Sequence, residues 1–176
     1  MAITYYRIAN ATSTGGSATL SVTGISNTYD DLVVRTSLRS TFSAQRAQIL
    51  LYFNGDTTAA NYFKSDYYNE DNAWGLETRI TTTTQMSNAP ANTAVSNLFG
   101  AGEIYIPSYA GTGNQKIAIS RLVQSNRDAS TSLFSDWNTY LRYTANTNAI
   151  TEISIVCPNG VWATGSKIDI YGIKNT

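Results

Sequence analysis

The sequence predicts an all-β protein, an antiparallel β-sandwich of jelly-roll-like type with about eight to ten short strands and minor helix. Two observations predict this fold class. Hydrophobic residues recur with a period of two along most of the chain, and clusters of Gly, Asn, Ser and Thr separate the alternating segments. Thr, Ser and Asn supply 58 of the 176 residues and favour strands and turns over helices. We therefore expect a single sandwich domain, 1–176.

The strand pattern is clearest in segment 29–39, where Leu32 and Val34 share one face while Arg35 and Arg39 share the other. Such alternation is typical of a strand with one buried and one solvent-facing side. The same pattern predicts further strands at 19–23, 48–53, 62–68, 103–106, 116–123, 137–143, 150–156 and 167–172.

The connecting segments complete this map of the chain. The dipeptides Asn-Gly at 54–55 and 159–160 and the glycine-containing segment 111–114 predict turns. Apolar residues never keep a helical spacing over three turns, so helix is limited to one short turn at 42–48.

Two segments depart from the regular pattern. Segment 69–97 has weak periodicity and a run of Thr, so we expect one long irregular loop there. Segment 1–11 lies before the first clear strand and could act as an amino-terminal arm.

Composition excludes several kinds of chemistry. The chain has no His and one Cys, Cys157, which excludes imidazole-based catalysis, disulfide bonding within the chain and paired-cysteine metal sites. Twelve basic residues balance twelve acidic ones, so we expect no nucleic-acid partner. The amino terminus lacks a secretory signal, and the longest apolar run is far below the ~20 residues of a membrane helix. We expect a soluble protein made in the cytoplasm, with no membrane partner.

The acidic residues are the first candidates for catalysis without histidine. Four carboxylates near the start of the irregular segment could supply the pair that glycoside hydrolysis needs: Asp66, Glu70, Asp71 and Glu77. The other interpretation is that they are solvated charges. A Ca²⁺ site is chemically conceivable, although the run lacks the spacing of a calcium loop: Asn69, Glu70, Asp71 and Asn72.

Other catalytic motifs are missing from the sequence. It contains no GxSxG, SxxK or phosphate-binding glycine loop, and the glycines of segment 99–103 precede a strand rather than a helix. We therefore expect no enzyme activity, catalytic residue, metal or cofactor.

Aromatic and arginine side chains are the candidates for a binding surface. The chain has 12 Tyr, 3 Trp and 5 Phe, and Trp74, Trp137 and Trp162 could form a carbohydrate-stacking platform. Alternatively, these tryptophans anchor the core or a subunit interface. Arg35 and Arg39 could pair with groups of a neighbouring subunit or line a solvent-facing sheet.

Four stretches carry a resemblance to a known group of proteins. They are 29–40 (YDDLVVRTSLRS), 51–57 (LYFNGDT) with 61–62 (NY), 99–106 (FGAGEIYI) and 163–174, which contains GSKIDIYGI. Together and in this order they resemble jelly-roll-like β-sandwich modules in virion proteins of tailed bacteriophages, including phages of cyanobacteria.

This resemblance implies a structural role in a phage particle. It implies localisation in the virion and a non-enzymatic function, either as a capsid decoration (cement) protein or as a tail or fibre component. The expected partner is the major capsid protein or another virion protein. Self-association as a dimer or trimer is expected because binding sites on a virion are symmetric. The alternative is a carbohydrate-binding receptor module that contacts a host glycan.

Overall fold

The structure is a computed structural model that describes residues 4–70, 73–127 and 132–175. It confirms the all-β fold class, with two antiparallel sheets packed against each other. A single 3₁₀ turn, Ala59–Asn61, is the helical element of the described residues. The strands in chain order are β1 (Thr4–Thr12), β2 (Thr19–Thr23), β3 (Asp31–Leu38), β4 (Arg46–Phe53), β5 (Tyr62–Glu70), β6 (Ala73–Ile80), β7 (Gln85–Pro90), β8 (Gly100–Ile106), β9 (Lys116–Arg127), β10 (Ser132–Tyr143), β11 (Glu152–Val156) and β12 (Lys167–Lys174).

The strand order identifies a jelly roll with an addition. The long sheet has the order β1-β12-β3-β8-β9-β10-β5-β6, and the short sheet has the order β2-β11-β4-β7. The four strands β1-β12-β3-β8 opposite β2-β11-β4-β7 form the eight-stranded, two-sheet jelly roll. Two antiparallel strand pairs, β5–β6 and β9–β10, then widen the long sheet beyond β8. We call β9-β10-β5-β6 the extension.

One hydrophobic core lies between the sheets. Both contribute to it, because alternate residues of each strand point inward: Leu32 and Ile170 come from the long sheet and Leu51 and Ile155 from the short sheet. Trp162 is fully buried in this core, and its indole N–H donates to the carbonyl of Ile155 at 3.1 Å. The core therefore extends to the turn that precedes β12.

The core also contains the single cysteine. The Cys157 side chain is buried, and its Sγ lies 3.2 Å from the Ser40 hydroxyl oxygen. At this position the thiol packs as a small apolar group with one polar neighbour.

All nine strands that the alternation predicts are present, but three further strands were not predicted. Segment 69–97 is not one irregular loop, because it contains β6 and β7. Along β7 five of six residues are buried, and no alternation is seen, because this strand pairs with β4 in the short sheet and also contacts β9 and β10 of the long sheet.

The expected arm and helix are also wrong within the described residues. Residues 4–11 belong to β1, which pairs with β12 at one edge of the long sheet, while residues 1–3 lie outside the described part of the chain. A register shift between Arg7 and Ala9 breaks the period of two that would have identified β1. Segment 42–48 has no helix, and β4 begins at Arg46.

The predicted turn at 54–55 is confirmed. Asn54 and Gly55 both have positive φ, 52° and 72°, as the two central residues of a type I′ turn require. The glycine at position 102 allows β8 and β9 to lie close together. A side chain at Gly102 would lie only 2.6 Å from the carbonyl oxygen of Arg121 on β9.

Among the residues that the structure describes, no helix has the length and apolar character needed to cross a membrane.

Candidate interaction surface

The extension has an unusual distribution of polarity across its two faces. Along β9 the side chains that point toward the short sheet are buried, and three of them are polar: Lys116, Ser120 and Gln124. The side chains that point away from the short sheet alternate with these, and three are large, apolar and exposed: Ile117, Ile119 and Val123. We call the side of the long sheet that points away from the short sheet the outer face.

Exposed apolar side chains concentrate on the outer face of the extension. Of the eleven large hydrophobic residues exposed in the described chain, eight lie there: Tyr67, Trp74, Leu76, Ile117, Ile119, Val123, Phe134 and Tyr140. The outer face of the jelly-roll strands contributes Tyr5 alone to this set. Monomeric soluble proteins rarely leave such contiguous apolar patches uncovered.

The centre of this surface is a row of neighbouring side chains on three strands. Tyr105 on β8 pairs with Ile119 on β9, which pairs with Tyr140 on β10. Tyr140 is 55% exposed although it stands in the middle of the sheet. Beside this row, an open depression of about 300 Å³ is lined in part by Phe63, Ile117 and Tyr140. A protruding partner side chain could fill it.

The free edge of the extension presents a second aromatic group. The Tyr67 ring on β5 stacks on the Trp74 ring on β6, with centroids 5.1 Å apart and planes inclined by 19°. Trp74 is 65% exposed, and Leu76 next to it is also exposed. Because no strand of the described residues pairs with the far side of β6, both its backbone and these side chains are accessible.

Ion pairs line the outer face, where Arg35, Glu103 and Arg121 stand opposite one another on β3, β8 and β9. Arg121 on β9 contacts Asp136 on β10 at 3.1 Å, and Arg35 on β3 contacts Glu103 on β8 at 3.0 Å. The Glu103 hydrogen bond raises the pKa of Arg35 further, so the guanidinium stays charged. Exposed pairs of this kind contribute little to stability, but they fix the charge pattern that a partner meets.

The structure separates the two arginines that the sequence suggested for an interface. Arg35 is exposed on the outer face, where its guanidinium lies 5.1 Å from the ring of Tyr171. Arg39 is buried, and it donates three hydrogen bonds to backbone carbonyls of the loop between β7 and β8: Ala94 at 3.2 Å, Val95 at 2.7 Å and Leu98 at 3.0 Å. Burial lowers the pKa of Arg39. Its place is inside the fold, so the expectation of an interface role is wrong for Arg39.

The expected platform of three tryptophans does not form. Trp162 is in the core, and Trp137 is buried on the inner side of the extension, where it stacks on Tyr68 with centroids 4.5 Å apart. The indole N–H of Trp137 donates to Glu70 at 3.0 Å. Their position agrees with the alternative interpretation, that they anchor the interior. Only Trp74 remains available to an external ligand.

The candidate carboxylates are held by neighbours rather than arranged across a cleft. Asp66 and Glu77 face each other on β5 and β6, and both contact Lys64, Glu77 at 3.4 Å. Glu70 accepts a hydrogen bond from Asn88 at 2.7 Å in addition to that from Trp137. Asp71 lies outside the described residues. No described pair therefore has the open geometry of a glycoside hydrolase.

The suggested calcium site is not formed by its described members. Asn69 and Glu70 are consecutive in β5 and so point to opposite faces of the sheet, while Asp71 and Asn72 lie outside the described residues. Over 4–70, 73–127 and 132–175, no group of three or more Cys, Asp or Glu is placed to hold a metal ion.

Sequence reasoning missed the central side chains of this surface. Ile119 and Tyr140 belong to strands that were predicted, but alternation alone does not tell which side of a strand will be covered. The sequence signal in β5 was misleading, because Lys64 and Asp66 share a face with Tyr62 and Tyr68. Charged residues on that face made it look solvent-exposed, whereas the structure buries it.

Comparison with known proteins identifies no relative. No protein-family model matches the chain, and a search of curated proteins finds no match either. The features that mark the outer face of the extension as a candidate interaction surface are therefore those of this structure alone.

Proposed function

We propose that this chain is a non-enzymatic structural component of a bacteriophage virion, a capsid decoration (cement) protein that binds neighbouring capsid subunits through the outer face of the extension. The observation that carries the proposal is the polarity of the extension, whose covered side buries polar groups among its core residues and whose outer face exposes eight large hydrophobic residues. The jelly roll is also common among viral capsid proteins, and four stretches of the sequence resemble phage virion modules.

The outer face has the composition that protein interfaces favour. Interface cores are enriched in Tyr, Trp, Phe and Arg, and residues of this kind stand together on the extension: Phe63, Tyr67, Trp74, Arg121 and Tyr140. Tyr140 and Ile119 are the expected binding hot spots, because they lie at the centre, where a partner would exclude water most completely.

The area of this face sets the strength expected of one contact. Four strands spaced about 4.8 Å apart and roughly 30 Å long present on the order of 600 Å² of sheet surface. Stable interfaces bury about 800 Å² per partner, so a single contact would be of modest affinity. Many copies on a symmetric shell would bind more tightly through multivalency, and a dimer or trimer of this chain would add to that effect.

The cheapest test is genomic position. We expect the reading frame to lie beside the gene of a major capsid protein, whereas a position among tail genes would favour the alternative of a tail or fibre component. A position outside any set of virion genes would contradict both.

The direct test is binding to capsids that lack this chain. Changing Ile119 and Tyr140 together to Ser should abolish co-sedimentation with the capsids, because both side chains lie at the centre of the proposed contact. Tyr5→Ser is the matched control, since Tyr5 is similarly exposed on the outer face but belongs to the jelly-roll strands. Equal binding by the double variant and the wild-type chain would overturn the assignment of this surface.

Carbohydrate binding is a second candidate function, and the stacked pair Tyr67 and Trp74 favours it. Two parallel rings at an accessible sheet edge give a flat aromatic surface of the kind on which a sugar ring packs. In this case the chain would be a receptor module that contacts a host glycan.

A glycan array separates the two candidates. Carbohydrate binding predicts signals that disappear with Trp74→Ala and persist with Trp137→Phe, because Trp137 is buried. Uniformly negative arrays with wild-type protein would remove this candidate and leave capsid binding unaffected.

A further inference from the structure

The inner side of the extension contains a buried cluster of one lysine and two carboxylates. Lys64 and Asp66 are both 1% exposed, and they point to the same face because they are two residues apart in β5. The Lys64 Nζ is in direct contact with Asp66 Oδ2 and lies 3.4 Å from Glu77 Oε2. Glu77 is the residue directly opposite Asp66 on β6.

Apolar and aromatic groups close this cluster from several sides. The Lys64 Nζ lies 5.3 Å from the centroid of the Trp137 ring, which is itself covered by Tyr68. Leu141 is the residue opposite Lys64 on β10 and is buried. Gly75 leaves the space that the Tyr68 ring fills, since a Cβ there would meet the ring at 2.1 Å.

The Asp66 carboxylate is short of hydrogen-bond donors. Lys64 touches one of its oxygens, and Thr139, the residue opposite on β10, lies beside the carboxylate, but neither oxygen accepts a hydrogen bond of normal geometry within the described part of the chain. Two fully buried charges with so few partners are costly, since desolvation offsets most of their mutual attraction. An amide formed between the two side chains would carry no charge, and it would need only one hydrogen-bond donor and one acceptor as partners.

Burial also favours the neutral form of the Asp66 carboxyl. It raises the pKa of Asp66, and the neighbouring Lys64 only partly opposes this effect. Burial thus favours the uncharged carboxylic acid, whose Cγ is more open to nucleophilic attack than that of a carboxylate. A desolvated lysine amine is a good nucleophile, and fixed proximity replaces the cost of bringing the two groups together.

From this geometry we infer that Lys64 and Asp66 form an intramolecular amide cross-link, with Glu77 as the proton-transferring group. The lone pair of the Lys64 amine attacks Cγ of Asp66, and a C–N bond forms. Glu77 accepts a proton from the nitrogen and passes it to the carboxyl oxygen that leaves. One C–O bond breaks, and one water molecule is released for each amide formed. No oxidant or reductant is required.

Glu77 is placed for this role because it contacts both the cluster and solvent. Its side chain is 39% exposed, so it can exchange protons with water while its carboxylate reaches the Lys64 Nζ. The product would remove two buried charges from the interior of the extension. The inference does not depend on what the outer face binds.

Intact mass of the wild-type protein tests the inference directly. We expect a mass lower than the sequence mass by one water molecule. After denaturation and digestion with trypsin, cleavage after Lys64 should be blocked, and a single peptide 47–79 should appear with the same mass deficit. A full sequence mass together with separate peptides 47–64 and 65–79 would overturn the inference.

Lys116 is an internal control in the same digest. It is as buried as Lys64, but its Nζ contacts backbone carbonyls, among them Asn114 at 2.9 Å and Thr147 at 3.1 Å, and no carboxylate. Trypsin should therefore cleave after Lys116 in the denatured chain. If both lysines resist cleavage, the intact mass decides: a deficit of one water molecule supports the inference, and a full sequence mass overturns it.

Two variants test the roles of the other groups. Asp66→Asn should still cross-link but lose ammonia instead of water, and this difference in leaving group is visible in the mass. Glu77→Gln should leave the chain at its full sequence mass, because proton transfer is lost while the shape is kept. A Glu77→Gln protein that still shows the deficit would remove Glu77 from the reaction.

Discussion

The two halves of the long sheet differ in the polarity of their buried and exposed faces. In the jelly-roll strands, the inner side is apolar, and the outer face is covered by ion pairs and tyrosines. In the extension, Lys64, Asp66 and Lys116 are buried while Ile119 and Tyr140 are exposed. The buried face of a sheet is normally apolar, so the buried charges and exposed hydrophobic residues make the extension the part of the sheet that folding of the isolated chain explains least.

The outer face of the jelly-roll half shows how such a surface is normally completed. Val33 is 1% exposed there and stands in register between Tyr171 and Tyr105. Asp31, on the same strand, accepts hydrogen bonds from Tyr105, from the backbone of Ser108 and from Asn175. Every apolar side chain of that row has neighbours within the chain. On the outer face of the extension, Ile119 and Tyr140 are exposed instead. This exposure is what we expect of a surface that a partner protein covers.

The largest expected effect lies in the jelly-roll core. Trp162→Ala should destabilise the protein by about 3–5 kcal/mol, because it removes a fully buried indole and leaves a cavity. Trp74→Ala is the matched control and should cost less than about 1 kcal/mol, since its ring is exposed. Denaturant unfolding measures both. Similar losses for the two variants would break the contrast between the halves.

A smaller loss is expected for the buried arginine. Arg39→Met should cost about 2 kcal/mol, because the carbonyls of Ala94, Val95 and Leu98 lose their donor while the side-chain volume is kept. Arg121→Met, which removes an exposed ion pair, should change stability by less than about 1 kcal/mol. If the Arg39 variant is as stable as wild type, the loop between β7 and β8 is held by other contacts.

Acid should weaken the hydrogen-bond network at Asp31. Burial alone would raise the pKa of Asp31, but the hydrogen bonds from Ser108, Asn175 and Tyr105 outweigh it and hold the pKa below its ordinary value. A carboxyl with a lower pKa in the folded chain stabilises fully above the ordinary carboxyl range and loses this contribution as pH falls through the folded value.

The corresponding variant isolates this effect. Asp31→Asn should cost about 1 kcal/mol near neutral pH, since one acceptor oxygen is lost. The stability difference between wild type and variant should shrink on acidification, as thermal unfolding at several pH values can measure. A difference that is constant with pH would mean that Asp31 keeps its ordinary pKa in the folded chain.

The smallest effect is expected on the outer face of the extension. Phe134→Ser and Ile117→Ser should each change stability by no more than about 0.5 kcal/mol, because both side chains are already exposed. Measured solubility should rise as the apolar patch shrinks. A loss of more than about 1 kcal/mol for either variant would show that this face is covered in the isolated protein, and the comparison would need revision.

Much of the fold was predictable because alternation reports local geometry. Segment 29–39 became β3, and Asn54-Gly55 became a turn, since both depend on residues close in sequence. The strands that were missed have local irregularities: β1 has a shifted register, and β7 is buried on nearly all positions and so does not alternate. Trp74 was identified as a binding candidate by its type, whereas Ile119 and Tyr140 carried no distinguishing mark in the sequence.

The sequence by itself determined where nine of the strands run and which of their residues share a side, because side-chain direction along a strand follows from the backbone. It also excluded imidazole and disulfide chemistry through composition. Only the tertiary structure decided which side of each strand is covered. The four strands of the extension continue a sheet whose inner side packs against the short sheet. Side chains on their inner side, among them Lys64 and Asp66, are therefore buried, and Tyr140 on the outer face is exposed.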